Sequence, residues 1–119
     1  MANILVVDDS PSMRQFVEMA IKMGGHSAVS ASDGREGLSK AKLAKFDAII
    51  TDMNMPIMSG IDFTSAIRQL PNYRFTPVLM LTTESDPDSK AKGKAAGVTG
   101  WRVKPFQPDN LIKILAKVI

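Results

Sequence analysis

The chain has no cysteine, which excludes disulfide frameworks, thiolate zinc sites and cysteine nucleophiles. Its single histidine, His26, leaves no basis for a polyhistidine metal site or for phosphotransfer through a buried helical histidine. No apolar run approaches the roughly 20 residues that a membrane span needs, and the opening MANILVVDD lacks the layout of a signal peptide. The expected location is therefore cytoplasmic, with no membrane contact. Net charge is only +3, from 15 basic and 12 acidic residues, too small an excess to mark a nucleic-acid binder without a basic motif, and none is present. Low-complexity stretches, repeats and linkers are also absent. What is present is ordinary for a globular domain, 45% hydrophobic and 23% charged. At 119 residues the expectation is a single domain, residues 1–119, large enough to fold without covalent staples.

Strand and helix periods alternate from end to end. Ile4-Leu5-Val6-Val7, Ala48-Ile49-Ile50-Thr51 and Val78-Leu79-Met80-Leu81 are continuous apolar runs, as expected for strands buried on both faces of a parallel sheet. Ser27–Ala31 and Gly100–Val103 alternate, which places them at sheet edges with one face toward solvent. Met13, Phe16, Val17, Ala20 and Ile21 recur at helical spacing after Ser10-Pro11, an N-cap followed by a first-turn proline, and Gly24-Gly25 ends that helix. Further helices are expected over 33–45, over 60–70, from Asp86-Pro87 to about Gly97, and from Pro108 to the end. In the last helix Leu111, Ile112, Leu115, Val118 and Ile119 should face inward. The fourth helix has no large apolar anchor and carries Gly93 in its interior, at a cost of about 1 kcal/mol relative to alanine. His26 is expected to be a solvated turn residue. Met13, Met53, Met55 and Met58 are expected to pack rather than bind anything. Five β-then-α units predict an α/β fold, a doubly wound parallel sheet with helices on both faces.

Such sheets bind ligands outside the carboxyl ends of their strands. Asp8-Asp9 close the first strand, Asp52 the third, Thr82-Thr83 the fourth and Lys104-Pro105 the fifth. Three carboxylates on one rim repel each other, and a divalent cation relieves that conflict. Oxygen ligands with positions left for water suit Mg²⁺ better than zinc. Lys104 adds a positive charge and Thr82 a hydroxyl donor. Together these parts suit in-line phosphoryl transfer to Asp52 as a carboxylate nucleophile, giving an acyl phosphate. Each residue also has an ordinary reading: a helix start for Asp8 or Asp9, a turn for Asp52, a strand residue for Thr82, a solvated lysine for Lys104. Their joint placement at strand ends favours the chemical one.

The stretches ILVVDDSPSMR, DAIITDMNMPIMSGIDF, VLMLTTES and GWRVKPF resemble those of response regulator receiver domains, specifically the stand-alone chemotaxis type represented by CheY, over essentially the whole chain. The resemblance implies a flavodoxin-like sheet with strand order 2-1-3-4-5 and five helices. It implies that Asp52 accepts a phosphoryl group from a histidine kinase of the chemotaxis type. It further implies that Mg²⁺, with Mn²⁺ as a possible substitute, is held by Asp9 and Asp52 side chains, by the main-chain carbonyl of Asn54 and by Asp8 through water. Thr82 would donate to the phosphoryl group, Lys104 would pair with it, and the peptide bond before Pro105 would be cis. Glu84 would flank the reacting centre and tune the phosphoryl lifetime. Trp101 occupies the position of the family's switch aromatic. Two departures stand out: Thr83 occupies a position usually held by Ala or Gly, which narrows donor access, and Trp101 is larger than the usual Tyr, Phe or His.

The expected function is a phosphorylation-activated switch of a two-component chemotaxis system that catalyses only its own phosphorylation and dephosphorylation. The alternative is a phosphate sink or relay intermediate with no downstream target. A Mg²⁺-dependent aspartyl-phosphate hydrolase is disfavoured because its second acid should lie two residues after the nucleophile, whereas Asp8 and Asp9 are adjacent. A flavin mononucleotide carrier is disfavoured because two acids in the first loop would repel a phosphate. With no DNA-binding module expected after the fifth helix, output should come from a protein partner, and the chain is expected to be monomeric. Lys90 and Lys94 on the fourth helix, Arg102 on the edge strand, and Lys113 and Lys117 on the last helix surround Trp101 in this reading. That surface predicts an acidic partner segment, such as one from a flagellar motor switch or a phosphatase.

Overall fold

Apolar tetrads with no polar face are stable only with neighbours on both sides and helices above and below. The structure, a computed structural model, places them so, and describes residues 2–82, 87–103 and 107–119. Strands β1 (Asn3–Val7), β2 (Ser27–Ala31), β3 (Ala48–Asp52), β4 (Val78–Thr82) and β5 (Gly100–Val103) form one parallel sheet in the order β2-β1-β3-β4-β5. β3 and β4 are buried at every position, whereas β2 and β5 are half-exposed edges. The helices are α1 (Pro11–Met23), α2 (Gly34–Leu43), α3 (Gly60–Arg68), α4 (Pro87–Ala96) and α5 (Pro108–Val118). This is the doubly wound α/β architecture the periodicity predicts.

Alternation along the strands divides the core in two. Ile4, Val6, Ala48, Ile50, Leu79 and Leu81 pack on α1 and α5 through Val17, Ala20, Ile21, Leu111 and Leu115. Leu5, Val7, Ile49 and Val78 face the other way, onto Ala41 of α2 and Phe63 and Ile67 of α3, with α4 lying beside α3. The helix starts follow capping chemistry. Ser10 accepts from the Met13 amide, Asp33 from Glu36 and Ser59 from Asp62. Glu36 in turn accepts from the Ser32 amide at 2.5 Å, which locks the entry to α2.

Four expectations are corrected. α2 stops at Leu43 rather than Lys45, because Ala44 is extended and the buried Tyr73 hydroxyl donates to the Ala41 and Ala44 carbonyls, at 2.8 and 2.7 Å. α3 stops at Arg68, and Pro71 forces Leu70 into extended geometry before a 3-10 turn over Pro71–Tyr73. In α5, Leu111 and Leu115 are buried and Ile114 packs against the core, but Ile119 lies past the last turn and is exposed. His26 is half-buried and accepts a hydrogen bond from the Ala2 amide at 3.0 Å, so it pins the start of β1 rather than standing in solvent. The expected start of α4 at Asp86 lies outside the described residues.

Candidate metal centre

At the carboxyl end of β1 the chain enters Asp8, which is buried, and Asp9, which is exposed; β3 ends at buried Asp52. One carboxylate oxygen from each lies within 4.8 Å of the others. Backbone geometry holds this cluster. The Asp8 amide continues the β1–β2 ladder by donating to the Ala31 carbonyl at 3.1 Å. Its carboxylate oxygen Oδ1 accepts from the Ser10 amide at 2.9 Å, and its carbonyl accepts from Arg14 Nη1, on α1, at 2.7 Å. Asp52 is locked by the strand beside it: the Met53 amide donates to the Leu81 carbonyl at 3.0 Å, and Thr51 Oγ1 donates to the Asp52 carbonyl at 3.0 Å. Behind it, the Gly60 amide donates to the Met53 carbonyl at 2.8 Å.

Three convergent carboxylates, with no nitrogen or sulfur ligand in the group, are a donor set for a hard divalent cation. The residues present therefore fit a magnesium-type ion. Thr82, fully buried, ends β4 at the same rim. Asn54 is exposed in the loop after Asp52. Thr83, Glu84, Lys104 and Pro105 lie outside the described residues.

That loop, from Met53 to Ser59, is tight. Ile57 sits at φ 73°, an unusual conformation for a β-branched residue, and the Met58 amide donates to the Pro56 carbonyl at 2.7 Å. Met58 closes the loop against α2: a Cβ at Gly34 would lie 2.8 Å from its Sδ. Met53 is buried, and Met13, Met55 and Met58 pack against the core, as expected.

Trp101 is half-buried on β5 and lies opposite Met80 in the parallel register. Its ring rests on α4, where a Cβ at Gly93 would overlap ring carbon Cζ2. Arg102 pairs with Leu81, so it leaves the strand on the opposite face from Trp101, and its Nη1 donates to the Trp101 carbonyl at 2.9 Å. Lys90 and Lys94 on α4 and Lys113 and Lys117 on α5 are exposed. The cations therefore lie on both sides of the β5 edge that carries Trp101. Sequence reasoning missed Arg14, Gly60 and the use of Gly93. The only signals were a basic residue one turn into α1 and two glycines inside or opening helices, none of which names its contact.

Comparison with known proteins bears on this arrangement. The response regulator receiver domain matches residues 4–116. Chemotaxis protein CheY-3 of Vibrio cholerae is 38% identical over 116 residues, covering 97% of this chain and 89% of that protein. The solved structure of Vibrio cholerae chemotaxis protein CheY4 superposes with a TM-score of 0.97 at 52% identity, covering 100% of this chain and 99% of that one. Response regulator protein TrrA of Thermotoga maritima, solved in complex with Mg²⁺–BeF, superposes with a TM-score of 0.89 at 29% identity, covering both chains completely.

Proposed function

Because the chain belongs to the response regulator receiver family, we propose that it is a phosphorylation-activated switch of the CheY type, working in two-component chemotaxis signalling with Asp52 as the phosphoryl acceptor. The observation that carries this reading is the convergence of Asp8, Asp9 and Asp52 within 4.8 Å at the rim where Thr82 ends β4. Residues 1–119 act as one receiver domain in this reading.

A carboxylate oxygen of Asp52 attacks the phosphorus of a phosphohistidine on the kinase. The P–N bond breaks, its electron pair stays on the imidazole nitrogen, and an acyl phosphate forms on Asp52. Mg²⁺ would be held by the Asp9 and Asp52 side chains, the Asn54 carbonyl and, through water, Asp8, and would neutralise charge on the transferring oxygens. The carboxylate cluster supports such an ion, and the relative TrrA was solved in complex with Mg²⁺–BeF. Arg14 and the Ser10 amide keep Asp8 aimed at the cluster through its carbonyl and Oδ1. The Thr82 hydroxyl donates to a phosphoryl oxygen, and Lys104 supplies the balancing positive charge. By the family resemblance, Glu84 and Thr83 would tune how easily donor and water reach the phosphoryl group. Movement of Thr82 toward the phosphoryl group then frees space for Trp101 to turn, and the surface of α4, β5 and α5 changes its affinity for a partner. The chain in this account catalyses only its own phosphorylation and dephosphorylation. It works in the cytoplasm; no helix of the described residues is long and apolar enough to cross a membrane.

The acceptor is tested by intact-mass spectrometry with a small acyl-phosphate donor, with and without Mg²⁺. Wild type should gain one phosphoryl mass only with the metal, and Asp52→Asn should gain none; equal gain by the variant would overturn the assignment. The partner surface is tested with an acidic peptide. Lys94→Glu with Lys113→Glu should weaken binding by the activated protein, more strongly at low salt, and leave phosphorylation intact. Unaltered binding would move the surface elsewhere.

A further inference from the structure

We propose that Gly93 is a positioning residue for Trp101: the bare backbone of α4 at Gly93 is the seat of the indole ring, and the tightness of that seat sets how readily the ring leaves it. The regulatory half of this proposal rests on the reading of Trp101 as the switch aromatic.

Gly93 is the buried residue of α4 among those described, in a helix with almost no apolar face. Glycine weakens a helix interior relative to alanine, so a glycine here needs a reason. The reason is contact. A Cβ on Gly93 would overlap Cζ2 of Trp101, lie 2.8 Å from Cη2 and 3.4 Å from Cε2, and meet no other residue as closely. The six-membered edge of the indole thus occupies the volume that any other residue's side chain would need.

The sheet register supplies the alternative place for the ring. Trp101 lies opposite Met80, and Thr82 is two residues further along β4, hence on the same face of the sheet. A ring on that face has the α4 backbone on one side and the Thr82 end of β4 on the other. Trp is the largest aromatic, and only glycine lets it lie against the helix without pushing α4 outward. Narrowing the seat should therefore shift the ring toward Thr82 before any phosphoryl group arrives.

The test uses the full chain in four forms: wild type, Gly93→Ala, Trp101→Ala and the double variant. If the seat exists, Gly93→Ala lowers the urea midpoint in the wild-type background but raises it in the Trp101→Ala background, where only the gain in helix propensity remains. Stabilisation by alanine in both backgrounds overturns the seat. Should Gly93→Ala fail to fold, folding of Gly93→Ala with Trp101→Phe would support the seat, and its failure would overturn it.

Emission of the single tryptophan reads the regulatory half. Gly93→Ala without activator should emit like wild type treated with Mg²⁺ and beryllofluoride, and should bind an acidic peptide roughly fivefold more tightly than untreated wild type. Untreated Gly93→Ala with wild-type emission and wild-type peptide affinity overturns the regulatory role. If wild type itself shows no emission change on beryllofluoride treatment, the switch reading of Trp101 falls, and the midpoint reversal alone decides the seat.

Discussion

Gly60 and Asp52 leave no room for a side chain between them: a Cβ on Gly60 would overlap the Asp52 carbonyl oxygen and lie 2.9 Å from Cα of Met53. The first turn of α3 is thereby pressed against the end of β3 at Asp52, the proposed phosphoryl acceptor. Gly60→Ala must move either the helix or the strand end. It should cost about 1–3 kcal/mol of stability, the usual range for overpacking a close contact. It should also slow phosphorylation of Asp52 at least tenfold, because in-line transfer is sensitive to displacement of the nucleophile by fractions of an ångström. Urea unfolding and a mass-spectrometric time course would check both. A folded variant with wild-type kinetics would show that the shift is absorbed by α3 alone.

At the opposite end of the molecule, burial holds the Tyr73 phenol above its ordinary pKa of 10.0, an effect partly offset by the hydrogen bond from the Phe46 amide. The folded state therefore binds this proton more tightly than the unfolded chain does. The associated stability is fully present below pH 10 and declines as pH rises through the unfolded value toward the raised folded one. Urea midpoints measured between pH 8 and about 11 should fall more steeply for wild type than for Tyr73→Phe, which has no phenol to ionise. Tyr73→Phe itself should lose about 1–3 kcal/mol at neutral pH, since the Ala41 and Ala44 carbonyls lose their donor. Parallel pH curves for the two proteins would remove the argument.

Much of this architecture is readable in the amino-acid order because it rests on local rules. Continuous apolar tetrads become the two-sided strands β1, β3 and β4, and Ser10, Pro11 and Gly24 bound α1 by capping chemistry. The acids Asp8, Asp9 and Asp52 are readable as a cluster because a parallel sheet brings strand ends together however far apart they lie in the chain. What stays hidden depends on contacts between distant segments. Tyr73 ends α2 from 29 residues away, and His26 binds an amide 24 residues upstream. Gly93 reads as a weak spot in a helix until the Trp101 ring is found against it. Which sheet face Arg102 takes relative to Trp101 follows from the pleat, which sends consecutive residues to opposite faces.

Ile57 carries an avoidable strain. It lies at φ 73° in the loop after Asp52, and its side chain is 73% exposed, so little burial compensates for the left-handed backbone. Asparagine tolerates that conformation. Ile57→Asn should raise the urea midpoint by the equivalent of about 1 kcal/mol. A lower midpoint would mean that the isoleucine makes a stabilising contact which outweighs its backbone conformation.

α4 should be the first helix to open. α1 buries Val17, Ala20 and Ile21, whereas α4 buries only Gly93 among its described residues. One tether lies at its carboxyl end. There Gly97, at φ 104°, closes the helix, and its carbonyl accepts from Nε and Nη2 of Arg68 at 3.2 and 2.7 Å. The same guanidinium donates through Nη1 to the carbonyls of Tyr73 and Thr76, at 2.5 and 2.7 Å, so one side chain on α3 ties α4 to the segment leading into β4. Burial of that guanidinium lowers its pKa, yet with three carbonyls as acceptors it stays charged at neutral pH. Native-state hydrogen exchange should therefore give α4 amides lower protection than α1 amides in wild type. Arg68→Ala should lower α4 protection further while leaving α1 close to its wild-type value at low denaturant. Its global cost should be on the order of 2–4 kcal/mol, as for other broken networks of charged hydrogen bonds. Equal protection of the two helices in wild type would show that α4 is held by contacts other than Gly93 and Arg68. A uniform loss across both helices in Arg68→Ala would show that the guanidinium stabilises the whole fold rather than anchoring this helix.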